Sequence, residues 1–229
     1  YQKDDEINNK IVKLTKIKKI DPTIKVRNKI KKIVLEGGAI DVNGKGSVIL
    51  TRECLLSKVQ ERNPGIGKLN LENSLRKYLN IKNFIWLNKG IEGDDTHGHV
   101  DDIARFVSPN TIMTAVEKNK KDKNFKILRE NLKILKKSKN IDGKKFRIIQ
   151  IPMPKAIYIN KVKVPASYLN FYIANKIILL PFFNDKHDKM VFSIFKRFFK
   201  KRKIVPINCS ELIWGFGAIH CMTLQEPLI

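Results

Sequence analysis

Cys221 closes the run "GFGAIHC", Gly215–Cys221. A cysteine just behind a glycine turn can stand exposed with its sulfur near backbone N–H groups, the setting a reactive thiolate needs. The competing reading of any single cysteine is a small buried hydrophobe; Cys54 and Cys209 lack the glycine context and are read that way. A second dense segment is "GIEGDDTHGHVDDIARF", Gly90–Phe106, in which Asp94, Asp95, His97, His99, Asp101 and Asp102 crowd into nine positions. Packing does not explain such density, because like charges repel and burial penalises them. Two chemistries fit. In one, His97, His99 and Asp101 hold zinc. In the other no metal is needed: His99 serves as general acid and base, and Asp101 binds a cationic substrate. A third reading is a loop of capping aspartates.

Two further places stand out. In "LEGGAIDVNGKGSVILT" Glu36 sits at a strand end before Gly37 and Gly38, and paired glycines let another group approach the backbone closely. The alternative is a tight turn with an exposed carboxylate. In "PASYLNFYIANKIILLPFFND", Pro165–Asp185, Asn170 and Asn175 interrupt an apolar stretch. A buried amide needs partners, so each either holds backbone or faces a ligand.

Elements must position these residues. Short β-branched runs predict strands at Lys32–Leu35, Ser47–Thr51, Asn83–Leu87, Thr111–Ala115, Lys145–Ile151, Lys176–Pro181 and Ile204–Ile207. Three- and four-residue apolar spacing predicts helices at Leu71–Leu79, with Asn70 as N-cap, at Phe125–Lys136 and at Met190–Phe199. Their alternation implies an α/β or α+β architecture. No Ser-, Pro- or Gly-rich linker divides the chain, and no strict repeat is visible, so residues 1–229 are read as a single domain.

The 46 Lys plus Arg against 22 Asp plus Glu give a formal net charge of +24. That balance attracts polyanions in general. The basic residues are nevertheless spread from Lys3 to Lys203 among an excess of Ile and Asn, a pattern that AT-rich codons produce, and no zinc finger, RNP-like motif or basic zipper accompanies them. A specific nucleic-acid role is therefore not expected. Three cysteines in 229 residues are no disulfide framework and suit a reducing, cytoplasmic compartment. The longest strongly apolar stretch, Ile177–Phe183, is far shorter than the roughly 20 residues a bilayer requires.

Taken in order, the segments "LEGGAIDVNGKGSVILTRECLL", "RNP", "YLNIKNFIWLNKGIEGDDTHGHVDDIARFVSP", "ASYLNFYIAN" and "CSELIWGFGAIHCMTLQEP" resemble the agmatine deiminase family, which also contains the bacterial-type peptidylarginine deiminases. "YQKDDEINNKIVKL" is more faintly similar to the stretch before the first motif. The resemblance implies a pentein fold, an α/β propeller of ββαβ-type modules. It also implies hydrolysis of a guanidinium to a ureido group with release of ammonia, without metal or organic cofactor. For agmatine the product is N-carbamoylputrescine, on the route to putrescine and the polyamines. A homo-oligomer is implied as well. The family's nucleophile falls on Cys221, its catalytic histidine on His99, its G-H-x-D aspartate on Asp101 and its L-E-G-G glutamate on Glu36. In that reading Glu36 and Asp101 clamp the guanidinium, and Asn170 helps shape the pocket.

The chain departs from the family pattern in places. The family's early W-x-R-D-type aspartate has no counterpart, so the resemblance predicts an incomplete propeller, truncated at its N-terminus and lacking its first blade. Phe216 stands where the family usually has Gly, Leu224 where it has Gln, and His97 where Asp is frequent. Other readings stay open. The chain is an inactive remnant of such an enzyme, a zinc hydrolase built on His97, His99 and Asp101, or a basic nucleic-acid-binding module. The zinc reading leans on a likeness to the H-x-H-x-D core of metallo-β-lactamase-like hydrolases. It meets a shortage of imidazole, since Asp102 follows where His is usual and only His187 and His220 remain.

Overall fold

The computed structural model describes residues 6–226. The opening of the faint N-terminal match and Pro227 of the last motif lie outside them.

The chain folds as three copies of one unit, each an antiparallel hairpin followed by a helical crossover to a parallel third strand. In the first, β3 (Ile40–Val42) pairs with β4 (Ser47–Thr51), and β5 (Asn83–Leu87) returns parallel to β4. Between them lie α2 (Arg52–Leu56) and α3 (Gly67–Leu79). In the second, β6 (Ala104–Ser108) pairs with β7 (Thr111–Val116); α4 (Lys123–Lys137) then leads to β8 (Arg147–Pro152), parallel to β7. In the third, β11 (Tyr172–Ile173) pairs with β12 (Ile177–Phe182); α5 (Asp188–Phe198) leads to β13 (Lys203–Asn208), parallel to β12. These are ββαβ modules of the kind the resemblance implies. Their likeness is in backbone pattern, not in side chains, which is why no repeat shows in the sequence. Outside the modules lie helix α1 (Ile7–Thr15), the hairpin of β1 (Thr23–Val26) and β2 (Lys29–Lys32), and the hairpin of β9 (Ile157–Ile159) and β10 (Val162–Val164).

Local chemistry explains most boundaries. The β3–β4 turn is "NGKG": Asn43 Oδ1 accepts from Lys45 N and Ser47 N, the side-chain turn that asparagine favours. Thr51 Oγ1 caps α2 by accepting from Cys54 N (3.1 Å), and Asp122 Oδ1 caps α4 by accepting from Asn124 N (2.8 Å). The expected cap Asn70 is not one. Helix α3 begins at Gly67, and Asn70 lies inside it, donating back to Ile66 O (2.8 Å). The strand expected at Lys32–Leu35 ends instead at Lys32, because β2 is an exposed hairpin arm whose last residue pairs with Thr23.

Two apolar clusters form the interior. One is built on module one and gathers Val48, Leu50, Leu71, Leu75 and Trp86. The larger runs through modules two and three, with Phe171 stacked edge-on to Phe195 at 4.9 Å between ring centroids. Arg105 of β6 ties the three modules together. Its Nε donates to Asp41 of β3 (2.6 Å), and its Nη1 donates to the carbonyls of Leu169 (3.1 Å) and Phe171 (3.0 Å) just ahead of β11. Among the described residues no helix is long and apolar enough to cross a membrane.

Candidate active site

The acidic loop is held from below by amides on the inner face of α4. Asn131 accepts from Asn88 N (2.9 Å) and donates to Lys89 O (2.8 Å), and Asn124 accepts from Glu92 N (2.8 Å). Glu53 of α2 accepts from Gly90 N (2.8 Å). Asp94 then caps the loop itself, its carboxylate receiving the backbone N–H groups of Thr96, Gly98 and His99. The capping reading is thus right for Asp94, and its consequence is to present His99 and Asp101.

Glu36 reaches the same place through Gly38. The Gly38 carbonyl accepts from Val100 N (2.9 Å) and Asp101 N (3.3 Å). A Cβ on Gly38 would lie 2.5 Å from His99 Nδ1 and 2.9 Å from Asp101 Oδ2, so only glycine lets the first motif press against the second. Glu36 spends one oxygen on Arg62 of "RNP", whose Nε donates to Oε1 at 2.8 Å. The other oxygen, Oε2, is shielded from solvent and has no partner among the described residues. It shares this state with His99 Nε2 and Asp101 Oδ1.

Asn170 is the hub. It is fully buried, and its Nδ2 lies 3.2 Å from Asp101 Oδ2, 3.0 Å from Asp102 Oδ1 and 3.1 Å from Cys221 Sγ. Its Oδ1 accepts from Cys221 N (3.2 Å), and its backbone carbonyl accepts from His220 N (3.0 Å). An amide has two N–H protons, so three acceptors over-subscribe it. At least one acceptor is then satisfied by carrying its own proton. Asn175, by contrast, is exposed in the β11–β12 turn and has no place here.

Cys221 lies in a short 3-10 turn, His220–Met222. A Cβ on Gly217 would fall 2.8 Å from Cys221 Cβ and 3.2 Å from Sγ, so the glycine leaves room for the sulfur. Phe216 takes a left-handed conformation, φ 60°, which explains the family's preference for Gly there and costs a phenylalanine about 1 kcal/mol. His220 Nδ1 lies 2.7 Å from Asp101 Oδ2, and Gln225 approaches its Nε2 at 3.3 Å. His220, Asp102 and Arg62 were not singled out as site residues from sequence; the signal available for His220 was its place beside Cys221.

Charge in this cluster is uneven. Burial raises the Asp101 carboxyl, but the His220 hydrogen bond and the charges of His220 and Arg105 outweigh it, leaving Asp101 below the usual carboxylate range. Asp102 stands well above that range through burial and the charges of Asp101 and Asp94. The Cys221 thiol is pushed up by desolvation and by Asp101 and Asp102, so it is a thiol, not a thiolate, in the free protein. An added cation reverses that field.

The trio of the alternative zinc reading, His97, His99 and Asp101, does not converge. His97, at φ 61°, sets its Nε2 3.3 Å from Ser57 Oγ. Cys54 is buried as expected, yet its surroundings are not purely apolar: with Glu36 and His99 it forms the one set of three metal-ligand types whose donor atoms converge among the described residues.

Residues 1–227 match the family model for Porphyromonas-type peptidyl-arginine deiminase. A Legionella pneumophila relative is 38% identical over 196 residues, 85% of this chain and 56% of its own. Two solved structures are similar throughout. The C. jejuni agmatine deiminase with substrate bound, a cysteine-to-serine variant, is 30% identical with a TM-score of 0.82 over 95% of this chain and 61% of its own. The Enterococcus faecalis agmatine deiminase is 28% identical with a TM-score of 0.87 over 99% of this chain and 64% of its own. The chain therefore spans less than two thirds of the length of these proteins. By its sequence and by the pentein-type modules it shares with them, the chain belongs to the Porphyromonas-type peptidyl-arginine deiminase family.

Proposed function

We propose that the whole protein hydrolyses the guanidinium of agmatine to N-carbamoylputrescine and ammonia through a covalent bond to Cys221. The observation that carries this reading is the buried cluster itself. Cys221 Sγ lies against Asn170 and 3.7 Å from Asp101 Oδ2, beside a carboxylate oxygen, Asp101 Oδ1, that has no partner among the described residues.

Asp101 Oδ1 is the acceptor for a guanidinium N–H, and the planar cation orients its carbon toward sulfur. The arriving charge offsets Asp101, which favours the thiolate. Cys221 passes its proton to His99, and the sulfur adds to the guanidinium carbon. The C–N bond then breaks as His99 gives a proton to the departing ammonia, leaving an amidino-thioether. His99, now neutral, takes a proton from water, which adds to the same carbon and expels the Cys221 thiolate. Glu36 acts beside His99 rather than on substrate alone, since Oε1 is committed to Arg62 and the carboxylate lies within 4.8 Å of the His99 ring. Asn170 holds the sulfur and Asp101 in register. The substrate is a small guanidinium, and the polyamine route, a homo-oligomer, one deiminase domain and a cytoplasmic setting belong to the same reading.

The test is ammonia release from agmatine, free arginine and peptidyl-arginine by the whole protein and its Cys221→Ala variant. Release from agmatine that disappears in the variant is the expected result. No release from any of the three, or release that survives the substitution, would sink the thiol mechanism.

A further inference from the structure

We propose that Glu36, Cys54 and His99 form a zinc-class metal site, and that filling it takes His99 out of proton transfer. The second half rests on the function proposed above; the first half does not. A carboxylate oxygen of Glu36, the sulfur of Cys54 and a ring nitrogen of His99 all lie within 4.8 Å of one another. Glu36 Oε2 and His99 Nε2 are shielded from solvent and bonded to nothing among the described residues. His99 is 7% exposed and Cys54 1%. Two unpartnered polar atoms beside a buried thiol are costly unless something satisfies them.

The donors define what that is. Sulfur, imidazole and carboxylate together suit zinc better than magnesium or calcium, which prefer oxygen alone. Zinc's bond lengths place tetrahedral ligands roughly 3.3–3.8 Å apart. From separations of up to 4.8 Å the three side chains need close by about 1.5 Å at most. A fourth position is left for water, the pattern of an open site. The surroundings fit as well. Asp94 and Asp101 add negative charge around Cys54, against the single guanidinium of Arg62. Arg62 also anchors the outer oxygen of Glu36, and Thr51 Oγ1 holds the Cys54 N–H, so two ligands are oriented from behind. The step balances simply: the metal takes the place of the Cys54 S–H proton, which leaves to solvent, with no change in oxidation state. Affinity therefore rises with pH. The nucleophile is not part of this set.

The experiment begins with protein stripped by chelator. Zinc chloride is titrated by calorimetry, and cobalt(II) is added while the near-ultraviolet thiolate-to-cobalt band is followed. One equivalent of zinc and a clear band are expected for the native chain and for Cys221→Ser. Cys54→Ser should lose the band and bind zinc at least ~100-fold more weakly. Because Cys54 lies in a core, Glu36→Gln provides a second variant, with circular dichroism as the check on folding, and it too should weaken zinc. Zinc binding absent from the native chain, a band that survives Cys54→Ser, one lost in Cys221→Ser, or affinity unchanged in Glu36→Gln each overturns the site. In the whole enzyme, zinc should inhibit ammonia release and Cys54→Ser should resist it. If the protein releases no ammonia at all, the binding measurements still decide the metal site.

Discussion

Two buried carboxylate clusters receive opposite treatment. Asp41 has both oxygens engaged: Oδ2 takes Arg105 Nε at 2.6 Å and Oδ1 takes Phe106 N at 2.6 Å. Burial still lifts its pKa, with Arg105 opposing, but no oxygen is left unbonded and Arg105 Nη1 bonds the two carbonyls just ahead of β11. Asp101 and Asp102 instead share a two-proton amide with Cys221, and Asp101 Oδ1 has no partner among the described residues. A fully bonded ion pair rigidifies the junction of three modules. A partly satisfied one keeps electrostatic demand in reserve for a ligand. The structure thus separates the charges that hold it together from the charges that can act.

Four substitutions break or sharpen that contrast. The largest effect falls on the acting cluster: Cys221→Ala in the whole enzyme should cut ammonia release by about 10⁴-fold or more. Its melting temperature should barely move, since Cys221 is exposed as a residue and only its sulfur packs against Asn170 and Asp101. Arg105→Met, on the holding side, should cost about 3–5 kcal/mol in urea unfolding by stranding the Asp41 carboxylate, and Asp41→Leu added to it should recover much of the loss. A loss under ~1 kcal/mol would mean that Arg105 is no tie and that the contrast is wrong. Gly217→Ala should lower kcat roughly 10- to 100-fold by displacing the sulfur, with little change in stability; unchanged kcat would show that the turn has slack.

Asp102→Asn tests the smallest effect. Asp102 is raised, so the native chain keeps a proton that the unfolded chain releases near pH 4. Its contribution is therefore fully present at low pH and fades as pH climbs toward the raised native value. The asparagine variant should lack that decline. It should match the native chain near pH 4 and exceed it at neutral pH. Equal stability at both would show that Asp102 titrates normally and that the amide is not over-subscribed.

The parts of the fold that were legible are those where one face or both are apolar. Ser47–Thr51 is buried at every position, and its β-branched run predicted it to the residue; Asn83–Leu87 was read the same way. Ile40–Val42 and Tyr172–Ile173 carry too few residues for a period to show and were missed, as was Ala104–Ser108, where Arg105 breaks the apolar run at the end of the acidic segment; with them went the first arm of every hairpin. The site divides similarly. Glu36, His99, Asp101 and Cys221 were visible from residue type and motif. Asn170 was only one amide of two in an apolar stretch, and nothing in the sequence distinguishes it from the exposed Asn175.

What the sequence determined by itself was the inventory: a reactive-cysteine turn, a histidine and carboxylates at short spacing, a paired-glycine segment after a glutamate, and the alternation of strand and helix that carries them. Those are properties of neighbours along the chain. The tertiary structure alone decided which of them meet. Asn170 reaches Asp101 and Cys221 across 69 and 51 positions, Arg105 joins three modules, and Cys54 stands beside Glu36 and His99. The reason is physical. Protonation and ligand choice depend on charges and unbonded atoms a few ångströms apart in space, and that proximity is set by how the modules pack, not by the order in which their residues are joined.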